Sequence, residues 1–157
     1  MGRVKKVNLI LILVALICVS CSNKTEIKSK DFPDKNERIE KLIVEIKNIS
    51  GILDTEFDLY NINGFSGDFV MIPSSTSIDY KFVVKVKPKN ISDWTKNLEK
   101  RNSTIQSEKW VYTVIETRKN NWQTTSKPIF YKSKDDAAIT VIVFQKEGIV
   151  FKRILKL

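Results

Sequence analysis

The chain has 157 residues, of which 27 are basic and 18 acidic, giving a formal charge of +9, with no histidine and two cysteines. Without histidine it can build no Ser-His-Asp triad, no Cys-His pair and no histidine-bearing zinc site. An apolar share of 42% with only 5 glycines and 4 prolines excludes a disordered chain as a whole.

Arg3, Lys5 and Lys6 precede an apolar run over residues 9–19, and no acidic residue comes before Glu26. A basic start followed by an apolar core of about 7–15 residues is the pattern of a secretory signal peptide. The run is shorter than the roughly 20 residues of a membrane span. It ends in Cys18-Val19-Ser20-Cys21-Ser22. This stretch resembles the lipobox of bacterial lipoprotein signal peptides, in which a small residue, here Ser20, precedes the acylated cysteine, here Cys21. Cys18 stands where the family usually has Leu. The resemblance implies cleavage before Cys21, two or three acyl chains on it, and attachment to the lipid bilayer on the exported side. Ser22 in place of Asp after the cysteine implies the outer membrane where the host is diderm. An ordinary signal peptide, which would leave a secreted soluble protein, is the alternative.

Removing residues 1–20 takes away Arg3, Lys5 and Lys6 and leaves 137 residues at +6. That length suffices for one domain with its own core. With Cys21 acylated, no thiol remains for a disulfide or a metal. Residues 22–33 (SNKTEIKSKDFP) are polar and lack periodicity. They read as a tether whose extended reach is about 40 Å. The expected organisation is therefore a signal peptide over 1–20, a lipidated tether over 21–34 and a single α+β domain over 35–157.

Asp34 and Glu37 open a helix in the manner of a capping box. Ile39, Leu42, Ile43, Ile46 and Ile49 fall on one stripe of it, and Gly51 supplies the stop. Residues 53–61 alternate, with Leu53, Thr55, Phe57 and Leu59 on one side and Asp54, Glu56 and Asp58 on the other, which predicts a half-buried strand. Turns follow at Asn63-Gly64 and Gly67-Asp68, with a short strand over 69–72 between the second turn and Pro73. Residues 80–87 alternate again, Phe82, Val84 and Val86 inward and Lys81, Lys85 and Lys87 outward. Ser92 caps a short helix carrying Ile91, Trp94 and Leu98. The β-branched and aromatic residues of 110–116 predict a strand. A polar loop over 118–127 and a short strand over 129–132 come next. The chain closes in a hairpin, 137–145 and 149–155, whose loop ends in Gly148, as a type I turn with a bulge requires. The apolar run 139–144 marks a central strand. The fold class is α+β: a mostly antiparallel sheet with two helices on one face and a C-terminal β-hairpin.

Three constellations could carry chemistry. Asp54, Glu56 and Asp58 share a strand face with about 7 Å between neighbours. That spacing suits a solvated face opposite Lys81, Lys85 and Lys87 better than a Ca²⁺ chelate or an acid–base pair. The charge is also uneven: residues 21–80 hold 7 basic and 11 acidic side chains, and residues 81–157 hold 17 and 7. A basic surface for anionic lipid, an envelope polymer or an acidic protein follows if the fold keeps the halves apart. Arg118, Lys119, Trp122 and Lys127 place a large aromatic among cations in the polar loop and are the partner-binding candidates. The competing reading of Trp122 is a side chain folded back onto the sheet, and Trp94 and Trp110 belong to the core. Adjacent Ser-Lys pairs in polar loops give no sign of the buried lysine a Ser-Lys nucleophile needs.

The function expected is that of a membrane-anchored binding or interaction module of the bacterial cell envelope, with a protein, polymer or small ligand as partner. A small envelope hydrolase using carboxylates is the alternative. No cofactor and no catalytic or metal-binding residue is expected, and no nucleic acid, because the signal peptide exports the chain.

Overall fold

The computed structural model describes residues 24–47, 51–65, 77–133 and 139–157. Cys21 with the signal segment, the Gly67-Asp68 turn and the expected strand over 69–72 lie outside them. Seven strands form one sheet: β1 (Glu26–Lys28), β2 (Ile52–Asn61), β3 (Ile78–Val86), β4 (Leu98–Arg101), β5 (Ile129–Ser133), β6 (Ile139–Phe144) and β7 (Ile149–Lys156). Their order is β1-β2-β3-β7-β6-β5-β4, and every neighbouring pair is antiparallel. The helices are α1 (Lys35–Ile46), α2 (Ile91–Thr95) and α3 (Trp110–Val114), with short 3₁₀ segments between elements; the longest, Glu116–Trp122, is kinked at Arg118 and occupies the start of the expected polar loop. The class is α+β as the sequence predicts, and among the described residues no helix is long and apolar enough to cross a membrane.

The sheet buries both faces. Phe82, Val84, Val141, Val143 and Val150 point to one core, shared with Leu42 of α1 and with Ile91 and Trp94 of α2. Val83, Ile142, Phe144, Ile149 and Phe151 point to the other, under Trp110, Val111 and Val114 of α3. Strand alternation sends neighbours to opposite faces. The unbroken apolar run of β6 therefore serves two cores, which is why it sits inside the sheet. The two helices predicted from sequence lie together on the first face; α3 is an addition on the second.

Residues 110–114 form a helix and not the expected strand. Propensity favours a strand here, but the buried positions are Trp110, Val111, Val114 and Ile115. That spacing is the repeat of a helix lying on one side, and burying this stripe outweighs an intrinsic preference worth a few tenths of a kcal/mol per residue. Leu98 belongs to no helix: α2 ends at Thr95, Asn97 turns the chain at φ 63°, and Leu98 opens the edge strand β4. The tether also shrinks. Residues 26–28 pair with 58–60 of β2, Ile27 is buried beside Leu59 in the first core, and Ser29 is buried as well. A three-residue strand with one inward side chain carries too little alternation to be read from sequence.

The capping expectation holds for Asp34 but not for Ser92, which lies inside α2; the N-cap of that helix is Asn90, and no side chain caps it. The Asp34 carboxylate accepts from the backbone N–H groups of Asn36 at 2.7 Å and Glu37 at 3.1 Å. The left-handed residue that ends α1 is Lys47, at φ 48°; Gly51, at φ 89°, turns the chain into β2 instead. In the terminal hairpin Phe144 faces Ile149, and Gly148 takes the left-handed conformation at φ 66°.

Candidate functional site

The acidic face of β2 is not solvated. Glu56 is 1% exposed, covered by two arginines and a serine that arrive from three other parts of the chain. Arg118 donates from Nη1 to Asp54 Oδ1 at 3.2 Å and from Nη2 to Asp54 Oδ2, and its Nη1 lies 2.9 Å from Glu56 Oε1. Arg38 of α1 is 6% exposed. Its Nη2 stands 3.5 Å from Asp54 Oδ1, and it donates to the carbonyls of Phe32, Pro33 and Thr55 at 3.0, 2.9 and 3.3 Å. The Ser29 hydroxyl donates to the other oxygen of Glu56. Two guanidinium groups thus face two carboxylates in a neutral group of four charges.

The two acids respond in opposite directions. Burial pushes the Glu56 carboxyl above the usual range, and the Ser29 hydrogen bond with the charges of Arg118 and Arg38 only partly offsets it. Burial acts against the charged form of Asp54 too, but the hydrogen bond and charge of Arg118, with help from the Thr55 amide and Arg38, hold it below that range. Asp58, raised by burial against the pull of Lys28 and Lys81, completes the face. Of the lysines expected opposite, Lys81 lies level with Asp58 and Lys85 level with Asp54.

This arrangement corrects the expectation for Arg118. It is a clasp between the 118–122 segment and β2, with both ends of its guanidinium engaged. Trp122 is 3% exposed, in the second core, so it is folded back onto the sheet and not displayed among cations. Lys119 and Lys127 are exposed. The four candidates are therefore not one surface.

Two of them meet at a pocket on the second face. It encloses about 300 Å³. Its walls are apolar: Val111 and Ile115 from the α3 segment, Phe144 and Phe151 from the sheet, and Trp122. Phe151 is held in place by edge contacts with Phe144 at 6.1 Å and Trp110 at 6.3 Å between ring centroids. Polar groups come from Lys119, Gln123 and Thr124. The Trp122 Nε1–H is buried and has no hydrogen-bond partner among the described residues. An adjoining depression shares Tyr112, Ile115 and Lys119 and adds Lys109, Thr113 and Glu116.

One wall is fixed by a carboxylate. Glu147, in the β6–β7 loop, accepts from the backbone N–H groups of Thr125 at 2.8 Å and Ser126 at 2.9 Å, and from both hydroxyls. These bonds, led by that of the Ser126 hydroxyl, bring its pKa down to about 2. They tie the segment that follows Thr124 to the hairpin.

Sequence reasoning did not find Tyr112, Val111 and Ile115 as pocket residues, because it took them for a strand; their helical spacing was the available signal. Phe144 and Phe151 carry no signal of a pocket, since they read as core. The arrangement can hold an apolar body and offer the ammonium group of Lys119 to its polar end. Asp54, Glu56 and Asp58 are not among its lining residues. Among the described residues no group of three or more Asp, Glu, His or Cys side chains is placed to hold a metal ion.

The chain matches no family model, no curated protein and no solved structure. The fold and site define an α+β protein: a seven-stranded antiparallel sheet covered on both faces, with an apolar, cation-rimmed pocket on one of them.

Proposed function

We propose that the chain is a membrane-anchored lipoprotein of the bacterial cell envelope whose domain is a binding module, and that its ligand is a small amphipathic molecule with an apolar body and an anionic or acceptor end. The observation that supports the ligand class is the pocket of about 300 Å³, apolar in its walls and bordered by Lys119. Its size lies at the lower end of small-molecule sites, which combine apolar walls with few polar groups. The support for the anchor is the Ser20-Cys21 cleavage pattern after a short apolar run.

Two measurements test the two parts. Intact mass of the protein extracted from host membranes, beside a Cys21→Ala variant, should give residues 21–157 plus a diacylglyceryl group, lost in the variant together with membrane retention. An unmodified chain free in solution would establish the secreted alternative. For the pocket, the aromatic anion anilinonaphthalene sulfonate serves as probe. It should bind the folded protein with saturation at one site and about tenfold more weakly to Lys119→Glu. Equal binding to both proteins removes the pocket from the reading.

A further inference from the structure

The anchor and the fold meet at one end of the sheet. The backbone is already engaged at Lys24, whose carbonyl accepts from Phe65 N–H at 3.1 Å, and at Thr25, whose carbonyl accepts from Asn61 N–H at 2.9 Å. Only Ser22 and Asn23 separate Lys24 from Cys21. Three residues of chain reach at most about 10 Å. A domain held this closely cannot stand off the bilayer, so the surface around Lys24 must face it.

That surface is the end at which β1 starts and β2 finishes. Asn61 lies level with Ile78 and Ile78 level with Lys156, so β3 starts and β7 finishes there too. Ile62 at 51% and Tyr60 at 38% are large apolar side chains exposed on it, beside the exposed Leu157 that follows β7. Neither has a core to join, whereas a bilayer interface favours both an aliphatic side chain and the amphipathic ring of tyrosine. Lys156 is exposed alongside, able to meet phosphate groups. Glu26 is exposed at the same end and Lys24 is paired with Asp31 at 2.7 Å, so this is not a basic patch; tether length and the apolar pair select the surface.

We infer that this end of the sheet, with Ile62 and Tyr60 at its tip, seats on the bilayer that carries the acylated Cys21, an inference that rests on the lipid anchor proposed above. The opposite end, with the β6–β7 loop, then points away. At about 3.3 Å per residue, a β3 of nine residues separates the two ends by about 26 Å. Phe144 of the pocket lies beside that far loop, and Glu147 within the loop secures the segment after Thr124. The pocket therefore lies in the half of the domain remote from the membrane, and its ligand is taken from the aqueous side.

Depth-dependent quenching tests this seating. Acylated Cys21 offers no thiol, so the full lipoprotein can be labelled with bimane at a single added cysteine, either Ile62→Cys or Lys146→Cys, both exposed positions. Each protein is incorporated in vesicles of phosphatidylethanolamine and phosphatidylglycerol containing a lipid with a shallow nitroxide. Quenching at position 62 should exceed that at position 146 at least threefold. Equal quenching in protein that stays with the vesicles overturns the seating and leaves the anchor in place. Protein that carries no acyl mass and washes off the vesicles overturns the anchor and the seating with it.

Discussion

Arg118 grips Asp54 with both terminal nitrogens of its guanidinium, across a sequence separation of 64 residues. The pair joins the second face of the sheet to β2, and through Glu56 and Arg38 it reaches α1. Removing the guanidinium leaves Asp54 and Glu56 side by side with Arg38 alone. Arg118 is part-buried, so Arg118→Ala should destabilise by about 2–3 kcal/mol, somewhat less than a fully buried pair. Arg118→Lys should recover only part of this, since an ammonium group cannot make the two-pronged contact. Lys119→Ala, one residue on and exposed, should stay within about 0.5 kcal/mol of the parent. Urea unfolding of the three variants checks the order. A null effect of Arg118→Ala would return Arg118 to the partner-binding surface.

Glu147 gives the fold a pH-sensitive clamp. Its pKa of about 2 lies below the 4.5 of a free glutamate, so between these values the unfolded chain binds more protons than the folded one. Stability then rises with pH across that window. The contribution is complete above 4.5 and is lost as pH falls through 2. The hydrogen bonds to Thr125 and Ser126 go with the charge. Amide exchange at those two residues should be slow at pH 6 and lose its protection towards pH 2, after correction for intrinsic exchange, and Glu147→Gln should show weak protection throughout. Protection unchanged by acid would mean that another group holds this loop.

Gly148 occupies a conformation and a space closed to other residues. Its φ is 66°, and a Cβ there would lie 2.1 Å from the Val86 carbonyl oxygen. The backbone cannot retreat, because the Val86 N–H donates to the Gly148 carbonyl at 2.8 Å. Gly148→Ala should therefore cost about 2–4 kcal/mol, combining left-handed strain with the displacement of β3. Thermal unfolding measures it. A loss below 1 kcal/mol would show that the hairpin can open without disturbing β3.

What could be read from the sequence was local. The Asp34 cap, the alternation of 80–87 and of 53–61 beyond Leu53, and the glycine that closes the last hairpin each depend on neighbours within a few residues, and each is in place; Leu53, expected inward, is 44% exposed where the register shifts between Ile52 and Asp54. What could not be read depends on distant cover. Glu56 alternates with Phe57 as a solvated residue would, and only Arg118, Arg38 and Ser29 make its position an interior one. Trp122 sits in a polar stretch, yet the apolar surface waiting for it is supplied by Phe144 and Phe151. In residues 110–115 two local signals disagreed: side-chain type indicated a strand and spacing a helix. Burial follows spacing, so the helix prevailed. The order of seven strands is set by pairings between segments far apart, on which no single stretch carries information.

Lys152 is the exception to the apolar logic of β7. It lies between Phe82 and Val141 in the register, on the face that also holds Val150 and Ile154. Burial alone lowers its pKa from the usual 10.5, and among the described residues no carboxylate forms an ion pair with it. Because the folded value is the lower one, the unfolded chain binds more protons between that value and 10.5. Stability therefore rises with pH through this window, and below it the cost of a partly desolvated ammonium group is present. Lys152→Met keeps the unbranched stem and removes the charge. At pH 7 it should stabilise the domain by about 1 kcal/mol and abolish the alkaline rise. Urea unfolding at pH 7 and pH 10 on both proteins decides the matter: a variant less stable than the parent at pH 7 would mean that the ammonium group has a stabilising counterpart, and that this face is a site and not only a core.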